Sequence, residues 1–231
     1  MELAAAGAKV LHLRCVEYAK RFNVPIHVRS SFSDREGTFV IADLADQSAV
    51  EKLSRQGAIM EQPIIAGVAH DLSDAKVTVQ GVPDRPGTAA AIFQAVADAG
   101  VNMDMIVQNV STHGSGKTDV TFTVPRADMA KAELQLRKVQ DAIGFEDIAT
   151  DDSIAKISLV GAGMRSHPGV SATFFKAIAE AGVNVEMIST SEIRISVVTR
   201  ADAAKSAVQA VHTAFGLDAD GQAVVYGGTG R

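Results

Sequence analysis

Asp84-Arg85-Pro86-Gly87 has the residue types and spacing to hold an α-amino acid. It ends a stretch with strand pattern and opens one with helix pattern. Free N–H groups at a helix start can take a carboxylate, and Asp84 can take an ammonium. Pro-Gly and Asp are also ordinary turn residues, so these residues alone leave both a ligand site and a plain turn open. Gln108 lies on a strand heading toward the same rim, and its amide both donates to and accepts from a hydroxyl. An exposed strand glutamine is the competing explanation. The six histidines are scattered, with no helix-spaced pair and no acidic partner at ligand spacing, which argues against a metal centre. Gly161-Ala-Gly163 reads as a βα turn and not as a phosphate loop.

The elements that position these residues occur twice. Pro86–Ile106 (PGTAAAIFQAVADAGVNMDMI) returns 82 residues later as Pro168–Ile188 (PGVSATFFKAIAEAGVNVEMI), with twelve of 21 positions identical. Upstream, Lys76-Val-Thr-Val answers Lys156-Ile-Ser-Leu at an offset of 80. Two copies of this length are too few and too long for a solenoid. They read as paired small domains, which favours a symmetric binding interface over a catalytic centre. In each copy a β-branched run (77–79, 157–160) predicts a strand, and apolar residues at helical spacing predict helices over 89–99 and 171–181. Gly100 and Gly182 stand where a helix C-terminal glycine belongs. Strands are expected at 101–110 and 183–190, then at 118–124 and 194–199, with a hairpin loop at 113–117 and a tighter turn at Ser191-Glu192. Second helices follow at 126–143 and 200–215, each with an acidic first turn. Asn184 and Val185 occupy the second copy's equivalent of the Asn102 corner, where Asn102 itself reads as a structural turn residue.

Each copy is therefore β-α-β-β-α and needs one more strand to become a split β-α-β sandwich. Residues 145–150 supply it for the first. For the second, residues 63–69 and 223–226 compete; the upstream strand is favoured, making the first unit an insertion in the second. The expected fold is α+β, with ferredoxin-like βαββαβ units at 75–152 and at 63–74 plus 153–231. Residues 1–62 do not repeat. They suggest a helix over 9–21 and strands at 26–30 and 38–41, α/β in character but too short to bury a sheet well.

A hydrophobic fraction of 47% and a charged fraction of 21% suit a soluble globular protein. A net charge of −5 argues against nucleic acid, whose phosphates call for a basic face. Cys15 is the one cysteine, so no disulfide framework exists and a reducing cytoplasm fits. No apolar run approaches the roughly 18 residues of a membrane span. The first residues lack a basic region followed by an apolar one, so they form no signal peptide; they look like the middle of a helix in a larger fold.

Several strings resemble aspartate kinase. Gly7-Ala-Lys-Val-Leu-His12 and Pro25-Ile-His-Val-Arg-Ser-Ser31 are similar to the close of that family's amino-acid-kinase domain, making residues 1–62 a C-terminal remnant plus linker. Gln108-Asn-Val-Ser111, Ser158-Leu-Val-Gly-Ala-Gly-Met164, Ser166-His-Pro-Gly169 and Ser189-Thr-Ser-Glu-Ile-Arg-Ile-Ser196 resemble its paired regulatory ACT domains. Met60-Glu61-Gln62-Pro63 resembles the start of the family's short β chains. His12 is followed by Leu13-Arg14 where the family often has proline, and residues 45–60 carry no string that resembles it.

The resemblance implies a regulatory β subunit, not an enzyme on its own, that partners a catalytic α subunit as α₂β₂ and forms a homodimer through its ACT domains. It implies threonine held by Asp84, Gly87, Thr88, Ala89 and Gln108, with Asn184 and Val185 supplied by a partner chain. Lysine as a second effector is suggested at Asp104, Ser171, Ser191 and Glu192, where acidic groups could hold an ε-ammonium; solvated surface carboxylates are the alternative. Lys9 and Arg29–Ser31 would border the nucleotide of a complete kinase. No cofactor is expected in this chain, with MgATP on the catalytic subunit. The alternatives are the C-terminal part of a full catalytic aspartate kinase and a generic amino-acid-binding ACT module on another biosynthetic enzyme.

Overall fold

The computed structural model describes residues 1–41, 65–109, 116–161, 169–191 and 193–218. The chain opens with a short helix α1 (Glu2–Ala5), helix α2 (Leu13–Arg21) and an antiparallel pair, β1 (Ile26–Val28) and β2 (Thr38–Val40). Then follow β3 (Ile65–Asp71), β4 (Asp74–Pro83), α3 (Thr88–Asp98), β5 (Asp104–Gln108), β6 (Lys117–Pro125), α4 (Met129–Ile143) and β7 (Asp147–Asp151). The second copy supplies β8 (Ile154–Gly161), α5 (Val170–Glu180), β9 (Met187–Thr190), β10 (Arg194–Arg200) and α6 (Ala204–Ala214).

Two four-stranded antiparallel sheets result, ordered β5-β6-β4-β7 and β3-β8-β10-β9. Both have the order of a ferredoxin-like unit, and β3 lies beside β8 in the second. The upstream segment thus fills that sheet position; residues 223–226 lie outside the described residues, as do Glu192 and residues 113–115 of the loop expected at 113–117.

Alternation explains how the first sheet seats its helices. Ala75, Val77 and Val79 are buried while Lys76, Thr78 and Gln80 are half-buried, so one face of β4 meets α3 and α4. Phe122 of β6, Ile92 and Val96 of α3 and Leu136 of α4 close that core. The second core repeats it with Ile157, Leu159, Phe174, Ile178 and Val211. β8, in contrast, is buried at all eight positions, because its outer face is covered as well. Val160 there packs on Ala6 and Ala69, and Ile154 on Met105, Met187 and Val198.

Several boundaries differ from the sequence expectation for local reasons. The helix expected from Lys9 starts at Leu13, because the His12 ring caps it by accepting the Arg14 N–H at 3.3 Å. Helix pattern at the N-terminus gives four residues, ending before Gly7, whose φ of +105° sets the chain against the His70 carbonyl. Residues 126–128 and 201–203 are 3₁₀ turns leading into α4 and α6. Residues 101–103 and 183–186 form corners before β5 and β9.

Candidate functional site

β4 and β5 run in the same direction with β6 between them, so their C-terminal ends share one rim of the first sheet. A bulge at Gln80–Gly81 bends β4 on its way there. Gly81 has a φ of +64°, and its N–H donates to an Asp119 carboxylate oxygen at 2.9 Å. Past Pro83 the Asp84 N–H donates to the Gly116 carbonyl at 2.9 Å, which pins the turn to the start of β6. Gly87, at φ +92°, then turns the chain into α3, and its carbonyl accepts the Ala91 N–H at 3.0 Å. A side chain there would meet no neighbour, so glycine is needed for conformation alone.

This geometry brings the exposed Asp84 and Gly87, the buried Thr88 and the half-buried Ala89 to the helix start. Gln108 ends β5 on the same rim, exposed, opposite Val120. The next residue, Asn109, accepts the Thr118 hydroxyl, tying that edge to β6. A helix start, a carboxylate and an amide thus lie along one rim: groups whose chemistry matches the carboxylate, ammonium and side-chain hydroxyl of a small amino acid.

Asn184 is exposed and Val185 half-buried at the corner before β9. Glu186, two residues on, pairs with Lys76 near the start of β4. Asp84 follows the end of that strand, roughly 25 Å away at extended spacing.

The second set divides in the same way. Ser171, the repeat counterpart of Ala89, lies exposed in the first turn of α5. Ser191 lies on the same rim, where its N–H donates to the Arg194 carbonyl at 2.7 Å and its hydroxyl accepts from the Ile193 N–H at 3.4 Å. Asp104 is at the other end: its carboxylate is 3.4 Å from the Lys156 ammonium, four residues before Val160, which pairs with Arg194. That separation is roughly 13 Å along β8. Each unit therefore carries a helix-start rim, each carries a corner, and no rim meets its corner within one chain.

Asp104 also has company that the sequence reading missed. Lys156, with an 8% exposed side chain, lies 2.6 Å from Asp74 and pairs with Asp104. Burial pushes its ammonium pKa down, but the hydrogen bond to Asp74 and the charges of Asp74, Asp104 and Asp71 outweigh this and raise it. Burial likewise pushes Asp71 up, while hydrogen bonds from Ser73 and the charges of Lys156 and Lys9 hold its carboxyl below the usual range. The alignment of Lys76 with Lys156, and of Asp104 with Glu186, was the available signal.

Lys9 and His12 border an open groove of ≈970 Å³ against residues 68–73, away from both rims, and Arg29–Ser31 do not line it. Among the described residues no group of three His, Cys, Asp or Glu side chains could hold a metal, and no helix is long and apolar enough to cross a membrane.

The ACT domain family matches residues 77–140 and 157–215, one stretch in each unit. An aspartokinase of Mycolicibacterium smegmatis is 56% identical over all 231 residues, which cover 52% of that protein. The chain spans about half the length of the curated relatives it matches. A crystal structure of aspartokinase alpha and beta subunits aligns over 66% of this chain and 99% of the compared chain, at 46% identity and a TM-score of 0.62. The ligand-free regulatory subunit of aspartate kinase from Thermus thermophilus aligns over the same shares at 44% identity and the same TM-score.

Proposed function

This chain belongs to the ACT domain family as the paired regulatory region of an aspartokinase, and from that premise we propose that it senses threonine and restrains the kinase. The kinase step is transfer of the γ-phosphoryl group of MgATP to the aspartate β-carboxylate, carried out by a catalytic portion outside the two ACT units. The ACT units alone do not turn over aspartate. Lysine is the second effector.

One observation supports this reading: each unit's corner packs beside the start of the other unit's first strand, at the opposite strand end from that unit's helix-start rim. Two copies of the chain, packed edge to edge, close both. Asp84, Gly87, Thr88, Ala89 and Gln108 of one chain then meet Asn184 and Val185 of its partner around threonine. Ser171, Ser191 and Glu192 meet Asp104 around lysine. Ile106 and Ile188, equivalent in the repeat, support such packing, since they are 50% and 49% exposed on the edge strands β5 and β9. Threonine that binds only the dimer favours association by mass action, and control of the kinase follows from unequal affinity for two states of the assembly. In an α₂β₂ enzyme that dimer sits against the catalytic α subunits.

Calorimetric titration of the chain with threonine and lysine, separately and together, tests this. Saturable threonine binding that Asp84→Asn weakens is expected; no binding at millimolar threonine would end the proposal. The match of residues 1–59 to the catalytic relative favours a second reading, in which the same region regulates a kinase domain on its own polypeptide. Coding sequence in frame upstream of Met1 separates the two.

A further inference from the structure

The two ACT units of one chain meet through contacts that repeat themselves about an internal two-fold. Lys76 of β4 pairs with Glu186 of the second unit, and Lys156 of β8 pairs with Asp104 of the first. The lysines are repeat counterparts, and so are the acids. Each unit's first-strand lysine thus meets the acid that opens the other unit's second strand, the self-complementary pattern of an isologous dimer, here inside one polypeptide. Met105 and Met187, also counterparts and each next in sequence to one of the acids, pack together with Ile154 and Val198.

The chain crosses between the units twice, and the crossings match as well. β3 leads into β4 through Asp71-Leu72-Ser73, and β7 leads into β8 through Asp151-Asp152-Ser153. In each, the aspartate accepts the serine N–H, at 2.8 and 2.9 Å. In each, the serine carbonyl accepts a backbone N–H from the 3₁₀ turn of the unit it borders: Arg126 to Ser73 at 2.7 Å and Ala201 to Ser153 at 2.9 Å. Two short, pinned crossings leave little freedom to slide or separate. Rotation about the line through them is the motion left, and the crossed lysine–carboxylate pairs oppose it.

We propose that the two Asp-x-Ser crossings form a single-axis hinge and that Lys76–Glu186 with Lys156–Asp104 is its latch, which sets the angle between a chain's two half-sites. This rests on the shared-pocket reading for its consequence, since a dimer closing both pockets needs both half-sites at one fixed angle. Effector occupancy and latch closure then favour each other. Lys156 anchors the latch more firmly than Lys76, because Asp74 holds it from the hinge side as well.

The test is an intrachain distance measured by pulsed electron resonance. Spin labels go on Asp141→Cys of α4 and Gln209→Cys of α6, in a Cys15→Ser background diluted with excess unlabelled chain. The parent should give one narrow distance distribution. Lys76→Glu, which sets two carboxylates against each other, should broaden or shift it, and Lys76→Glu with Glu186→Lys should restore it. In step, Lys76→Glu should weaken threonine binding about fivefold or more, with recovery in the double variant. If Lys76→Glu does not fold by circular dichroism, Lys76→Gln is scored in the same way. A folded single variant whose distribution overlays the parent's, or a double variant that fails to restore it, overturns the latch. A parent that binds no threonine defeats the pocket reading instead, and the distances still decide the hinge.

Discussion

Lys156→Met should be among the most damaging single substitutions on the surface shared by the two units. The parent ammonium is 2.6 Å from Asp74, with side chains 8% and 15% exposed, so the change strands a carboxylate with little water around it. Breaking a buried pair from one side costs about 3–5 kcal/mol. The lower figure applies, because Asp104 is 53% exposed and can rehydrate. About 3 kcal/mol lowers Tm by roughly 6–12 °C in a chain of this size. Asp74→Leu added to Lys156→Met removes the stranded charge and sets two apolar side chains where the ion pair stood. Replacing both partners of a buried pair is often neutral, so the double variant should return to within about 1 kcal/mol of the parent. Differential scanning calorimetry of parent, single and double variants measures this directly. A single variant within about 2 °C of the parent, or a double variant less stable than the single, would refute the reasoning.

Other expectations follow from the same geometry. If the proposed pocket holds threonine, Gln108→Ala should weaken it by about 0.5–1.5 kcal/mol, or several-fold, yet leave 2-aminobutyrate binding unchanged, since the proposed partner of Gln108 is the hydroxyl alone; calorimetry with both ligands checks it. Gly87→Ala should cost about 1 kcal/mol of stability, read as a Tm shift, because its φ of +92° disfavours any Cβ although no neighbour would clash. Stability should be flat from about pH 5 to pH 10 and fall outside that range. Asp71 and Asp147, both lowered, lose their contribution as pH falls through their folded pKa values; for Asp147 the main cause is the Arg137 hydrogen bond. Lys156, raised, keeps its contribution until pH climbs past the ordinary lysine range. Thermal unfolding at pH 3, 6, 9 and 11 tests it, and a steep loss between pH 6 and 9 would count against these assignments.

The repeat made most of the fold legible before any coordinates. Strand and helix order, and the preference for the 63–69 segment beside β8, follow from apolar periods and from counting strands. Boundaries failed where a side chain or a backbone twist intervened: His12 capping α2, or Met105 taking a φ of +48° at the β5 bulge. Rim residues 84–89 and 108 were legible because each ends a predicted strand or starts a predicted helix. Lys76, Asp74, Lys156 and Glu186 were not read as partners. Their pairing depends on how two folded units face each other, and local pattern carries no information on that. Asp104 shows the same limit: sequence made it a ligand candidate, and the fold gives its carboxylate a lysine partner within the chain.

The central claim is a pocket that only two chains can complete, and sedimentation velocity with and without threonine tests it most directly. With the chain near its dimer dissociation constant, saturating threonine should move it from monomer to dimer, and the same dose should leave Asn184→Ala unmoved. An unchanged monomer fraction at a threonine concentration that calorimetry shows to be saturating would contradict the shared pocket.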